Sequence, residues 1–337
     1  MRSTNQFRIL AVLATTLAAV SALLVALGSG AGASTAAPVQ TAALPTGPLV
    51  PPAGTALLGA TITKGSKTSE PIVWSRLETA TGNNIDLTQI IYTWGQTIPS
   101  WRESYQLGHG RIPLISWHGA KSTDVTSGKY DSYIRSTASG LKALGGKVFI
   151  RYFWEMDGKA FASLAVSPAA FKAAWAHIRS IFSSVGATNA VWVWSPTAYG
   201  FDAGRAAQWY PGASQVDWVA ADGFNSYPGV PGSSPQTFAQ IFANFYKWGL
   251  SANKPMMVAA TGALETSDPM AKANWIKGIA STIQATYPGM RAVCYLDTTA
   301  GWYSDPSLTL HWELTSSANA TSAWNATAKL PVFANAR

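Results

Sequence analysis

The sequence is poor in charge. Only 12% of its 337 residues are Asp, Glu, Lys or Arg, about half the usual ~25% share. That excludes a disordered chain, which pairs high charge with low hydrophobicity, and it excludes a coiled coil. The net charge is +8, but no Lys/Arg-rich run of the kind that marks a nucleic-acid patch occurs. The excess reads as a solvated basic surface, with no nucleic-acid partner expected. Cysteine is almost absent: Cys294 stands alone, so no intramolecular disulfide can form, and a free Cys in an apolar run reads as a small buried hydrophobe. One Cys with the scattered His109, His118, His177 and His311 cannot build a Cys/His zinc site. Neither a metal nor any other cofactor is expected. A phosphate-binding glycine loop is also missing. The stretch 140–147, G-L-K-A-L-G-G-K, has the wrong spacing and no Ser or Thr after the Lys. The G-x-S-x-G and H-E-x-x-H motifs do not occur.

What is abundant is aromatic and apolar. Apolar residues make up 47% of the chain, with 15 Trp, 12 Tyr and 12 Phe. Aromatics at that density fill a large core, and their flat faces also suit sugar rings. Met1 to Arg8 carries two positive charges, Ile9 to Leu27 is Ala/Leu-rich, and small-residue sites of the A-x-A kind follow, A-G-A at 31–33 and T-A-A at 35–37. This reads as a secretory signal peptide over 1–33, hence an extracellular protein. A membrane anchor is the rival, since the apolar run approaches the ~20 residues of a span. The small residues favour cleavage, and no stable membrane association after it. Residues 34–54 hold five prolines among Ala, Thr and Gly, the composition of a linker without regular structure.

From residue 55 to 337 short apolar runs alternate with helical patterns. Strands are predicted at Ala56–Ile62, Asn84–Tyr92, Ile112–Trp117, Lys147–Phe153, Ala190–Trp194, Val216–Ala221, Pro255–Ala260 and Arg291–Leu296. Several are continuous in apolar character, as strands buried on both faces should be. Ser167-Pro168 and Asp268-Pro269 read as helix starts. Phe171, Trp175, Ile178 and Phe182 recur at helical spacing, and Gly145-Gly146 ends a helix that carries Tyr130, Ile134 and Leu141. Eight strands alternating with helices is the arithmetic of an α/β protein of the (β/α)8 TIM barrel class, a single domain. A doubly wound open sheet is the alternative.

The active site of such a barrel lies at the C-terminal ends of its strands. Those ends deliver Trp94, Trp117 with His118, Trp154 with Glu155 and Asp157, Trp194, Asp222 with Phe224, and Asp297, with Trp302 nearby. Trp faces stack on pyranose rings, and carboxyls do acid/base work on acetals. The expected partner is a polysaccharide or oligosaccharide, bound by a monomer.

The stretch 151–158, R-Y-F-W-E-M-D-G, resembles the R-x-x-H-E-M-N-G segment of glycoside hydrolase family 26. The stretch 189–196, N-A-V-W-V-W-S-P, looks like the family's N-V-V-W-V-W-S-P strand. Y-P-G at 210–212, V-D-W at 216–218 and D-G-F-N at 222–225 are similar to its Y-P-G, V-D-W and D-G-Y-N, and Lys254-Pro255 opens its K-P strand. The resemblance covers most of residues 57–303. It implies a β-mannanase or related β-glucanase that works with retention, using an acid/base after the fourth strand and a nucleophile after the seventh. Glu155 matches the acid/base. The nucleophile position is Ala260, whose methyl group cannot attack an anomeric carbon. Trp154 stands where the family has His, and Phe224 where it has Tyr.

Two readings follow. One is a hydrolase with impaired or altered catalysis, whose second carboxylate comes from elsewhere. Glu265, on the loop after the seventh strand, is the candidate, and an inverting enzyme tolerates ~6.5–9.5 Å between its carboxyls. The other is a non-hydrolytic carbohydrate-binding protein that keeps the aromatic cleft, with Trp94, Trp117, Trp154, Trp194, Asp222, Phe224 and Trp302 as sugar contacts.

Overall fold

The computed structural model describes residues 45–336, apart from 62–66, 83, 303–304 and 335. The expected signal peptide and the first part of the expected linker lie outside the described residues. Eight strands follow one another: β1 (Leu57–Thr61), β2 (Leu87–Thr93), β3 (Ile112–His118), β4 (Val148–Tyr152), β5 (Ala190–Trp194), β6 (Trp218–Asn225), β7 (Met256–Ala263) and β8 (Met290–Leu296). They pair in parallel, in sequence order, and β8 closes on β1 with Leu57 opposite Ala292 and Thr61 opposite Leu296. The fold is a closed (β/α)8 barrel. β6 and β7 run further than the sequence predicted, to Asn225 and Ala263. An antiparallel pair, β9 (Thr299–Trp302) and β10 (Asp305–His311), is an addition that the sequence reading missed.

Strand side chains alternate between two apolar compartments. Leu57, Leu87, Leu114, Phe149, Met257 and Ala292 fill the barrel axis. Leu58, Ile115, Ile150, Trp192, Val219 and Val293 face outward into the helical layer. That two-sided burial is why the strands read as continuous apolar runs. The helix Pro168–Val185 forms as expected: Ser167 Oγ accepts from Ala170 N at 3.2 Å, and Gly186 ends it at φ 75°. The helix expected from Asp268-Pro269 begins instead at Ala271. Asp268 closes the preceding turn, its Oδ1 accepting from Met270 N at 2.8 Å.

The part of the expected linker that is described, 45–54, has no regular structure, yet it packs. Leu49 and Val50 lie against the axial cluster, and Trp218 Nε1 donates to Pro48 O at 2.8 Å. Arg291 donates to the carbonyls of Pro51 and Pro52. This segment closes the N-terminal end of the barrel, leaving the C-terminal end for chemistry. No helix among the described residues is long and apolar enough to cross a membrane.

Candidate active site

Above the apolar axis the inward side chains turn polar. Thr61 donates to Gln89 Oε1, and Gln89 Nε2 donates to Ser116 Oγ at 2.9 Å. Arg151 Nη1 donates to the same Ser116 oxygen at 3.2 Å, while its Nη2 is paired with Asp222 Oδ2. Ser195 Oγ donates to Asp222 Oδ1 at 3.0 Å. Strands β1 to β6 thus contribute one linked belt of hydrogen bonds. Its centre is an Arg151–Asp222 ion pair with both side chains 1% exposed. A buried pair of this kind needs its remaining hydrogen-bonding capacity satisfied to offset desolvation. Ser116 and Ser195 supply part of it, while Arg151 Nε is buried without a hydrogen-bond partner.

Glu155 reaches this belt through an unusual backbone. Phe153 and Glu155 hold φ at 53° and 55°, a region that non-glycine residues rarely occupy and that costs roughly 1–3 kcal/mol each. Three hydrogen bonds over-determine the turn: Phe153 N to Trp117 O, Glu155 N to Ser195 O and Gly158 N to Glu155 O, each at 2.8 Å. The chain leaves β4 and folds across the barrel mouth, so that the Glu155 carboxyl hydrogen-bonds to Asp222. Burial raises the Glu155 pKa well above the usual 4.5; the Asp222 charge adds to this and Arg151 opposes it. Burial likewise raises Asp222, to about 6, against the pull of Arg151. Glu155 is therefore the proton holder of the pair and donates to Asp222. Trp154 backs it, 5% exposed, its ring 3.9 Å from that of His118 and at 81° to it. Burial, and secondarily Arg151, lowers His118 to about 4.

The ladder between β6 and β7 carries a bulge. Ala221 is opposite Val258, but Asp222 is opposite Ala260, so Ala259 is an extra residue on β7. Directly opposed residues of a parallel ladder share a face, and bulges re-aim side chains next to active sites. Ala260 therefore faces the axis beside Asp222, with only a methyl group to offer.

The aromatic residues expected around one mouth separate into two groups. Trp117 is opposite Tyr92 and Tyr152 and points outward; Trp194, opposite Val219, does the same. Both are fully buried. Trp194 packs against Tyr210 and Trp248, each with ring centroids 5.1 Å away. Neither offers a face to a sugar, because strand alternation turned them from the cleft to the helices. This corrects the expectation of a four-Trp mouth. Trp94 is half-buried and stacks on Trp117 at 4.5 Å, which occupies one of its faces. Phe224 is half-buried at the rim, 5.0 Å from Trp312. Trp302 lies on β9, but its side chain is outside the described residues.

Glu265 belongs to a separate group. Its Oε1 accepts from Ser316 Oγ at 2.6 Å. With His311, Glu313, Thr315 and Ser316 it lines an open cavity of about 430 Å³. Lys272 reaches this group, donating to Glu313 O at 2.7 Å and to Ser316 Oγ at 2.8 Å. Burial lowers Lys272 to about 8, opposed by Glu265, Glu313 and Asp297. The charges acting on Glu155 are instead those of Asp222, Arg151 and Asp157. Asp297 is bound to the backbone, its Oδ1 accepting from Leu314 N at 2.7 Å. Among the described residues no group of three His, Cys, Asp or Glu is placed to hold a metal.

Sequence reasoning missed the supports of the acid loop. Asp157 accepts from Thr197 N and Thr197 Oγ1, each at 2.8 Å, and Arg205 Nε donates to Asp157 O at 3.1 Å. The S-P-T turn after β5 was the available signal, since Thr197 caps the helix Ala198–Asp202.

The parallel eight-stranded barrel thus brings two buried carboxyls, Glu155 and Asp222, together at its C-terminal mouth, with the Glu155 pKa raised by burial. Residues 120–276 match glycosyl hydrolase family 26. It is 29% identical over 273 residues, 77% of its length, to Endoglucanase H of Acetivibrio thermocellus. The matched stretch is only 29% of that relative's length. Among solved structures, a mannanase of Bacillus subtilis is 18% identical with a TM-score of 0.57, covering 81% of this chain and 85% of that one. A family 26 β-mannanase of Bacteroides ovatus is 14% identical with a TM-score of 0.57, covering 82% and 90%. These solved structures carry the fold.

Proposed function

We infer that this protein binds a β-linked hexose chain of the mannan or glucan type at the C-terminal mouth of its barrel, and that its hydrolysis of that chain is impaired. The family and the kind of relatives it has support the substrate class. One observation carries the rest: Ala260 faces the axis where a retaining enzyme needs a carboxylate, while Glu155 keeps its proton.

Retention needs two carboxyls ~5–5.5 Å apart, one on each side of the scissile bond. Glu155 has the property of the first. A carboxyl whose pKa is raised by burial holds its proton to higher pH and can pass it to the leaving oxygen. Asp222 cannot serve as the second, because it is hydrogen-bonded to Glu155 itself and held by Arg151 and Ser195. Glu265, bonded to Ser316, is occupied in a different cluster. Proton donation without a nucleophile or general base leaves the oxocarbenium-like transition state unsupported on its opposite face.

Secretion belongs to the same proposal, resting on the N-terminal pattern. Mass spectrometry of the exported protein should find an N-terminus between about residues 33 and 40. For the activity, purified protein is offered mannan, β-glucan and xylan panels, with binding and reducing-sugar release measured together. Binding to mannan or glucan with little or no release is expected. Rapid release from a native polysaccharide would overturn the impairment, and absence of binding to every panel would overturn the substrate class.

A further inference from the structure

Tyr199 lies on the short helix Ala198–Asp202 that follows β5, and it is 68% exposed, the most exposed large apolar side chain among the described residues. Its helical neighbours do the opposite: Ala198 is buried, and Phe201 packs 5.3 Å from Trp248. The ring is not loose. The Arg205 guanidinium lies over it, 4.6 Å from the ring centroid. A cation over one ring face is attracted by the ring quadrupole, and it leaves the second face to solvent.

The same Arg205 ties Tyr199 to the acid. Its Nε donates to Asp157 O at 3.1 Å and lies 3.7 Å from Asp157 Oδ2. Asp157 is two residues past Glu155. From the other side, Asp157 takes both the backbone N–H and the hydroxyl of Thr197 at 2.8 Å, and Thr197 caps the helix that carries Tyr199. Ser195, whose carbonyl accepts the Glu155 N–H, is four residues before Tyr199, which puts Tyr199 within about 14 Å along the chain. An oligosaccharide held at Glu155 covers that span with a few sugar units.

We propose that Tyr199, backed by Arg205, is a distal stacking subsite for the β-linked sugar chain held at the Glu155 mouth. It receives the apolar face of a pyranose a few units from the Glu155 end. Most of the energy is the burial of two flat apolar faces. Arg205 spends its Nε–H on Asp157, and its remaining N–H groups are of the kind that bond sugar hydroxyls. The stiffness of the Asp157–Thr197–Arg205 connection keeps the ring in place before the ligand arrives, which lowers the ordering cost of binding. The subsite rests on the proposed function for its ligand.

The test is calorimetric titration of the purified protein with manno- and cello-oligosaccharides from two to six units long. Wild type, Tyr199→Ala and Tyr199→Phe are compared. The exposure of the ring predicts an unchanged melting temperature for both variants. Tyr199→Ala should bind the longest oligosaccharides roughly five- to a hundredfold more weakly, the range that loss of one aromatic stacking partner gives in nucleic-acid sites. The shortest should bind as before, and Tyr199→Phe should match wild type at every length because stacking uses the ring. Wild-type binding with equal affinity for Tyr199→Ala at all lengths would overturn the subsite alone. Wild type that binds no oligosaccharide would overturn the proposed function, and the subsite with it.

Discussion

Asp222 and Ala260 stand opposite each other across the β6–β7 ladder, one step past a bulge that adds Ala259 to β7. A buried carboxyl and a methyl group therefore share the face that looks into the barrel mouth. Asp222 is in turn hydrogen-bonded to Glu155 and paired with Arg151. Under the proposed function Glu155 is the acid of the site, and Ala260, opposite Asp222 on β7, is the position where the second carboxylate is missing.

Replacing Ala260 with Glu should restore the group that forms a covalent intermediate. With aryl β-mannosides or β-glucosides, Ala260→Glu is expected to raise the turnover rate by on the order of tenfold or more. Trp154 and Phe224, the other departures from the family pattern, are expected to limit the recovery. A new anion near Glu155 should push its pKa further up, moving the alkaline limb of the pH–rate profile to higher pH. Azide added to wild type should attack in place of the missing carboxylate and give the α-azide from a β-substrate. Fast wild-type hydrolysis that is abolished by Ala260→Glu would sink the idea, and Glu265→Gln would then be the variant to make.

Asp222 and His118 bend the stability–pH curve in opposite directions. Asp222 is raised from 3.8 to about 6. Folding favours its protonated form, so its contribution is complete below pH 3.8 and is lost as pH rises through 6. Glu155, also raised, acts in the same sense. His118 is lowered from 6.5 to about 4. Its contribution is complete above pH 6.5 and is lost as pH falls through 4. Between pH 4 and 6 the slopes oppose one another. His118→Gln removes one of them, so the variant's melting temperature should drop more steeply than that of wild type from pH 4 to pH 6. Calorimetric scans at pH 4, 5 and 6 decide this. Parallel curves for the two proteins would refute it.

Trp194 and Trp94 should separate packing from binding. Trp194 is fully buried among Tyr210, Phe201 and Trp248. Trp194→Ala should cost about 3–5 kcal/mol of stability, the range for truncating a buried large aromatic. Trp94 is half-buried and keeps one face free of Trp117. Trp94→Ala should weaken oligosaccharide binding by ~1–3 kcal/mol by analogy with base stacking, at a smaller cost in stability. Denaturant melts and titrations on both variants check the contrast. Equal stability losses would show that Trp94 is wall packing as well.

The barrel was legible because two-sided burial writes itself into a strand as an unbroken apolar run. β4, V-F-I-R-Y, and β5, A-V-W-V-W, are buried at every position. The same property hid the direction of each Trp. In such a run nothing in composition tells Trp117 from Ser116, yet one faces the helices and the other joins the polar belt. Facing depends on the register counted from the neighbouring strand, and on β7 it depends on a bulge that two successive alanines do not announce. Glu155 could be located by its motif. Its contact with Asp222 could not, because it arises from positive φ at Phe153 and Glu155, which no residue type there encodes. Arg205 and Tyr199 were invisible for another reason: Arg205 bonds to Asp157, 48 residues away in the sequence, and Tyr199 is tied to Asp157 only through Arg205.

The tightest joint in the acid loop is at Gly200. A Cβ built there would lie 1.7 Å from Asp157 Oδ2 and 3.1 Å from Thr197 Oγ1. Two hydrogen bonds hold Asp157 against Thr197 at that spot, and the Thr197 side chain caps Gly200 N at 2.9 Å. Gly200→Ala must therefore push the Asp157 carboxylate away and break at least one of these bonds. Asp157 is 8% exposed, and its pKa is raised by burial against the lowering effect of its Thr197 bonds. Its displacement leaves a buried carboxylate short of donors. The overpacking should cost about 1–3 kcal/mol. Because Asp157 anchors the turn that holds Glu155 at positive φ, oligosaccharide affinity should fall along with stability. Gly204→Ala is the control: it lies at the end of the same segment, where an added methyl meets nothing within 4 Å, although its φ of 67° carries backbone strain. If Gly200→Ala loses stability but binds oligosaccharides as wild type does, the acid loop is not positioned through Asp157. If Gly204→Ala loses affinity to the same degree, strain anywhere in the segment is enough and the Asp157 contact is not the cause.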